Sequence, residues 1–90
     1  MNFECDKNKD YANRKKHKVS FHEASTVFND PSAITFTDPD HSFHEHRFLT
    51  FGYSIMDRLL VVVHTGRNGK IRIISARLVT RRERKIYEDG

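Results

Sequence analysis

The stretch IRIISARLVTRRERKIYEDG, residues 71–90, interleaves Arg72, Arg77, Arg81, Arg82, Arg84 and Lys85 with Glu83 and Tyr87. Guanidinium groups bind phosphate bidentately, and the free amides of a helix start add further donors. Arg77 stands at the end of an apolar run and next to a capped helix start, a position suited to holding an anion. The same position also suits a salt bridge to an acid such as Glu83. Two histidines could move protons near neutral pH, His64 at the end of an apolar strand and His17 beside Lys16 at the end of a helix. The competing readings are a hydrogen-bonded sheet histidine for His64 and a favourable cation at a helix C-terminus for His17. Lys9, Asn13, Lys16 and His17 recur at i, i+4, i+7 and i+8, which puts them on one helical face.

Metal chemistry is weakly supported. His41, His44 and His46 in HSFHEH lie in a loop running into a strand, at no spacing that suits tetrahedral coordination, and a solvated loop is the better reading. The single Cys5 excludes an intrachain disulfide and a multi-thiolate zinc site. There is no P-loop, no dinucleotide fingerprint, no Gly-x-Ser-x-Gly and no carboxylate cluster for two magnesium ions. Phosphate-ester chemistry on this chain is therefore expected to need no metal or other cofactor. RNA permits that, because its own 2′-hydroxyl is the nucleophile. The protein must supply a base, an acid and cations around the pentacoordinate phosphate. DNA lacks the 2′-hydroxyl and could not be cut this way.

The elements that would position these groups follow from patterning. Residues 3–5 suit a short strand. Asp6 suits the N-cap of a helix over residues 7–17, whose only apolar members are Tyr11 and Ala12. Ser20 with Glu23 makes a capping box, Val19 with Ala24 a hydrophobic staple, and Phe21, Ala24, Val27 and Phe28 an amphipathic stripe that ends at Asn29-Asp30-Pro31. The period then becomes two. Strands are expected over residues 33–37 and 46–54, the latter with Arg47, Leu49, Phe51 and Tyr53 on one face, and the loop 38–42 joins them. Residues 58–66 are apolar on both faces, as in a central strand. Arg67-Asn68-Gly69-Lys70 predicts a hairpin turn, either a two-residue I′ loop or a three-residue loop with a bulge, and residues 70–78 return. Regular alternation puts Arg77 with Ile71, Ile73 and Ser75, and Arg72 on the opposite face with Ile74 and Ala76. Thr80 with Glu83 repeats the capping-box spacing and starts a short C-terminal helix. The order β-α-α-β-β-β-β-α is that of an α+β domain with helices against a mostly antiparallel sheet.

Ninety residues suit a single domain spanning 1–90. Residues 1–18 carry six Lys/Arg against three acids, residues 67–90 eight against three, and residues 19–66 two against six. Basic ends around an acidic middle imply an electropositive face if the termini meet, with phosphate the expected counter-charge. No signal-peptide pattern is present, and the longest aliphatic run, 59–63, is too short to span a bilayer, so a cytoplasmic protein without membrane attachment is expected.

The opening FECDKNKDYANRKKHKVSF resembles the pattern F-E-W-D-x-x-K-x-x-x-N-x-x-K-H-x-V-x-F of the BrnT toxins, and DPDHS, HRFLTFG, RLLVVVHT and IRIISARLVTRRERKIYE look like the rest of that family. The resemblance implies a RelE-like ribonuclease toxin of a bacterial type II toxin–antitoxin pair that cleaves RNA and so stops translation. It also implies a BrnA-type ribbon-helix-helix antitoxin as partner, two toxins assembling with two antitoxins. The matching positions are Lys9, Asn13, Lys16, His17, Arg47, His64, Arg72, Ser75, Arg77, Arg81, Glu83, Arg84 and Tyr87. Arg77 is the leading candidate for binding phosphate and the transition state, supported by Arg47, Arg72 and Arg81. His17, His64, Glu83 and Tyr87 are the candidates for proton transfer, and Lys9, Asn13, Lys16, Arg82, Arg84 and Lys85 those for RNA binding. The chain departs from the pattern at Cys5, where the family carries a tryptophan able to stack on a base, and at Lys18, where it carries a glycine. The alternatives are a non-catalytic nucleic-acid-binding module and an inactive toxin homologue that only binds its antitoxin.

Overall fold

In the computed structural model, which describes residues 2–38 and 46–89, five strands form one sheet in the order β1-β5-β4-β3-β2. These are β1 (Phe3–Glu4), β2 (Ile34–Thr37), β3 (Phe48–Tyr53), β4 (Leu59–Arg67) and β5 (Lys70–Leu78). Neighbours pair antiparallel except β1 and β5, which run parallel with Phe3 opposite Ile71. Helices α1 (Lys7–His17) and α2 (Phe21–Thr26) lie against one face, and α3 (Arg81–Asp89) follows β5. The α+β expectation holds, with elements in the expected order. Most of the loop 38–42, and with it His41 and His44, lies outside the described residues.

The main core lies between α2 and the sheet. Val19, Phe21, Ala24 and Val27 meet Leu60, Val62, Ile73 and Ala76, all but excluded from water. The apolar stripe of α2 therefore does what its spacing dictates. Its N-terminus is only half a capping box. Ser20 Oγ accepts from the Glu23 amide at 3.0 Å, but the Glu23 side chain turns away. It is buried, and its carboxylate accepts from Ser54 Oγ at 2.6 Å and from two guanidinium nitrogens of Arg58. Arg58 also donates to the Lys18 carbonyl at 2.9 Å, so one ion pair ties α2, the α1–α2 turn and the β3–β4 hairpin together.

Helix α1 buries no apolar side chain, and both Tyr11 and Ala12 face water. Polar bonds hold it instead. Asp6 accepts from the Asn8 and Lys9 amides at its start, Asp10 accepts from the Phe21 amide at 2.8 Å, and Asn13 points into the core. The Asn13 amide donates to the carbonyls of Val19 and Ala76, each at 2.8 Å, and its oxygen accepts from the Ala76 amide at 3.2 Å. Its hydrogen-bonding groups are spent within the fold and only 6% of the residue is exposed, which corrects its assignment as an RNA contact. Lys18 closes α1 in the left-handed region at φ 61°, the conformation that glycine adopts without cost.

The β4–β5 turn is the two-residue loop. Arg67 pairs with Lys70, and Asn68 and Gly69 both have positive φ, as a I′ turn requires. The irregularity lies further along the strand. Val63 pairs with Ser75 but His64 with Ile73, leaving Ile74 as an extra residue. This bulge overturns the expected alternation. Ile73 and Ala76, three apart, both enter the core. Arg72, Ser75 and Arg77 pair with Thr65, Val63 and Val61 and so share the other face.

Replacing Asn13 with Ala should cost roughly 2–4 kcal/mol in urea unfolding, since up to three buried backbone groups lose their partners at about 1–3 kcal/mol each. Lys18→Gly should gain about 1 kcal/mol by relieving the left-handed cap.

Candidate nucleic-acid interface

The sheet face opposite α1 and α2 gathers the candidate residues Arg72 and Arg77. On β5 it presents Arg72, Ser75 and Arg77, on β4 Val61 and Val63, on β3 Leu49, Phe51 and Tyr53, and on β2 Ile34 and Phe36, by the observed pairing. Helix α3 lies along this face. Its full capping box holds the start in place. Glu83 Oε1 accepts from the Thr80 amide at 2.9 Å, and Thr80 Oγ1 accepts from the Glu83 amide at 3.1 Å. Further along, Tyr87 donates to the Ser32 carbonyl at 3.2 Å and meets Tyr53 edge to face, ring centroids 6.2 Å apart.

Arg77 and Glu83 join the helix to the sheet. Arg77 Nη1 and Nη2 donate to the two carboxylate oxygens of Glu83 at 2.8 and 3.0 Å, and Nη1 also reaches the Leu78 carbonyl at 3.2 Å. The salt bridge allowed by the spacing is therefore formed. It does not exhaust the guanidinium. Of five N–H groups, three are spent, and Nε–H with the second Nη2–H takes no partner among the described residues. Those two protons lie on the adjacent edge of the planar group, itself a bidentate fork for a phosphate. The Arg77 side chain is 41% exposed. Its guanidinium, with the Thr80 contacts, holds the Glu83 carboxyl down at about 2, so Glu83 is ionised at neutral pH and a weak base. Burial pushes the Tyr87 phenol up, with Asp30 adding to the effect, so it stays protonated at neutral pH and is a weaker acid than a free phenol.

The remaining residues separate into groups. Arg81, Arg82, Arg84 and Lys85 lie exposed along α3, and Arg84 approaches the Tyr53 hydroxyl at 3.4 Å. Arg72 is half-buried near the β1–α1 junction, where its charge assists the two backbone amides that chiefly lower the Asp6 carboxyl. Arg47 precedes β3 and is half-buried, and its carbonyl accepts from the Asp38 amide at 2.9 Å. Lys9 and Lys16 are exposed and His17 half-buried on α1, which packs on the opposite side of the sheet from Arg77. His64 also faces that opposite side. It is buried between Phe28 and Phe48, its Nε2 2.7 Å from Thr50 Oγ1, which in turn meets Thr35 Oγ1 at 2.8 Å. Burial pushes its pKa down to about 4, so it is neutral at pH 7. The structure thus gives His64 the sheet-histidine role and sets it apart from Arg77. No group of three or more metal-ligating side chains occurs among the described residues.

Sequence reasoning missed the wall that faces α3. Ile34, Phe36, Phe51, Glu83, Ile86 and Tyr87 line a groove of about 330 Å³. The signal was available in part. Ile34 and Phe36 alternate on one strand, and Glu83, Ile86 and Tyr87 recur at i, i+3 and i+4.

An α+β domain whose guanidinium-bearing sheet face is crossed by a cationic helix is the class of protein that fold and site define. A family model described as the ribonuclease toxin BrnT of type II toxin–antitoxin systems matches residues 5–83, and the chain belongs to that family. The crystal structure of the Brucella abortus ribonuclease toxin BrnT shares the fold, with a TM-score of 0.68 and 21% identity over 90% of this chain and 99% of that one. No curated protein sequence matches the chain. No helix among the described residues is long and apolar enough to cross a membrane.

Two windows of acid sensitivity follow from the shifted groups. His64 has its pKa lowered from 6.5 to about 4, so the unfolded chain binds the proton more readily and stability falls as pH drops through that interval. Glu83, lowered from 4.5 to about 2, contributes stability above pH 4.5 that is lost as pH falls toward 2. Urea midpoints measured across pH should show both losses. His64→Leu should flatten the upper window and Glu83→Gln the lower.

Proposed function

We propose that this chain is a metal-independent endoribonuclease toxin that cleaves RNA through the substrate's own 2′-hydroxyl and so inhibits translation. Membership of a ribonuclease toxin family supports the reaction class, and the chemistry of the exposed sheet face supports the mechanism. The observation that carries the reading is the second edge of Arg77, which has no partner among the described residues, held in orientation by Glu83 on the face that the Ile74 bulge turns outward. A phosphodiester seated on that edge places its negative oxygens against a fixed guanidinium, and charge accumulating in the pentacoordinate transition state is stabilised there. Arg81, Arg82, Arg84 and Lys85 hold the backbone on either side, and Arg72 and Arg47 add supporting cations. Tyr87, protonated at neutral pH and one helical turn beyond Glu83, is the candidate proton donor for the leaving oxygen. Glu83, a weak base, is the candidate on this face for accepting the 2′-hydroxyl proton, whereas His17 stands on α1 across the sheet from Arg77.

The partner in this reading is a BrnA-type ribbon-helix-helix antitoxin, two copies assembling with two toxins in the cytoplasm. The antitoxin would cover the cationic face, whose exposed charge folding alone does not require.

End-labelled RNA incubated with the protein in excess EDTA should yield fragments ending in a 2′,3′-cyclic phosphate. Arg77→Ala should reduce the rate about 10²- to 10³-fold, the usual cost of removing one donor to a developing oxyanion. Arg77→Lys should recover little, because a point charge lacks the second fork edge. Intact RNA in both free and ribosome-bound assays, with salt-sensitive retention on a filter, would instead establish the non-catalytic binding module.

A further inference from the structure

We propose that the groove between α3 and strands β2 and β3 is a nucleobase subsite, seating one base of an RNA whose adjoining phosphate lies on Arg77. The inference deepens the ribonuclease reading and rests on it for the identity of the substrate.

The walls have the chemistry of a base-binding slot. Phe36, Phe51 and Tyr87 supply aromatic rings, and Ile34 and Ile86 aliphatic sides. Phe36 meets Phe51 edge to face at 5.9 Å and is itself 49% exposed, while Ile86 is 62% exposed. Such apolar groups lining one concavity are a surface that a planar ring covers well, and bases stack on aromatic side chains whatever their identity. A groove of about 330 Å³ falls at the small end of the range in which compact ligands bind.

Continuity with Arg77 decides in favour of a nucleotide over an unrelated apolar ligand. Glu83 lines the groove and is also the carboxylate bonded to Arg77. A base in the groove and a phosphate on the open edge of Arg77 therefore flank the same side chain. Glu83 also gives the slot a preference. Its Oε1 already accepts from Arg77 Nη1 and the Thr80 amide, whereas Oε2 accepts only from Arg77 Nη2 among the described residues. A carboxylate oxygen with acceptor capacity left favours a base edge that offers N–H, such as the guanine N1–N2 edge or an exocyclic amine, and disfavours one that offers only acceptors.

The test is an NMR titration of the free toxin with guanosine 3′-monophosphate and, separately, ribose 5-phosphate, following the ring resonances of Phe36, Phe51 and Tyr87. The nucleotide should shift those rings and the sugar phosphate should not. Phe36 is half exposed, so Phe36→Ala is expected to fold. It should weaken guanosine 3′-monophosphate about tenfold or more, leave ribose 5-phosphate unchanged, and flatten the base preference beside the cleavage site. Equal binding of the two ligands, with Phe36→Ala without effect on affinity or cleavage pattern, would overturn the subsite while leaving Arg77 as a phosphate site. A Phe36→Ala protein that cleaves RNA with its pattern intact but loses affinity for the antitoxin would assign the groove to the protein partner and overturn it likewise. Ring shifts specific to the nucleotide in a protein that cleaves no RNA would support the subsite and sink the ribonuclease reading alone.

Discussion

The amide of Asn13 substitutes for a missing strand, and the working face of the sheet depends on it. Strand β1 is two residues long and pairs with β5 only at Ile71 and Arg72, so the edge of β5 beyond that point is open. Asn13 reaches from α1 and takes both the amide and the carbonyl of Ala76, as a neighbouring backbone would. An unpaired buried amide and carbonyl would cost several kcal/mol together. The same side chain holds the α1–α2 turn through the Val19 carbonyl. One polar residue thus docks a helix that has no apolar face of its own.

Two residues before Ala76, Ile74 is the extra residue of the bulge. The two features act together. The bulge shifts the alternation, and Asn13 fixes Ala76 in the shifted register, with its methyl in the core. Arg77 must then point to the opposite face, alongside Ser75 and Arg72, toward α3. Without the bulge Arg72 and Arg77 would stand on opposite sides of the sheet, one of them against α1 and α2. The sheet therefore separates duties. One face holds the apolar core, the buried His64 and the Glu23–Arg58 pair, and the other holds the exposed guanidinium chemistry and the groove.

Much of this was legible in the chain. The apolar stripe of α2, the central character of β4, the Asn68-Gly69 turn and the Thr80–Glu83 cap all carry local signals that tertiary structure did not override. Apart from the groove, whose lining residues were partly legible in their spacing, what escaped had no local signal. Nothing in Ile73-Ile74-Ser75 marks a bulge, because each residue fits a regular strand equally well. Asn13 sat in a polar helical stripe beside two exposed lysines, and spacing cannot tell a solvated polar residue from one whose donors and acceptor are used inside. His64 and Arg77 each left two readings open from sequence. Their environments, an aromatic cage for one and a carboxylate with an open edge for the other, exist only once distant strands and helices meet. Lys18 is the converse case, since the glycine usual at that position becomes intelligible when its φ of 61° is seen.

The proposal that RNA binds the Arg77 face can be tested directly by photocrosslinking. A Cys5→Ser protein carrying a single thiol-tethered photocrosslinker at Ser75→Cys, or separately at Lys16→Cys, would be irradiated with an RNA made uncleavable by 2′-O-methylation. Crosslinks from position 75 and few from position 16 are expected, because the bulge turns residue 75 toward the cationic α3 face while α1 lies on the other side. Strong crosslinks from position 16 with none from position 75 would place the RNA against α1 and contradict the assignment of the Arg77 face.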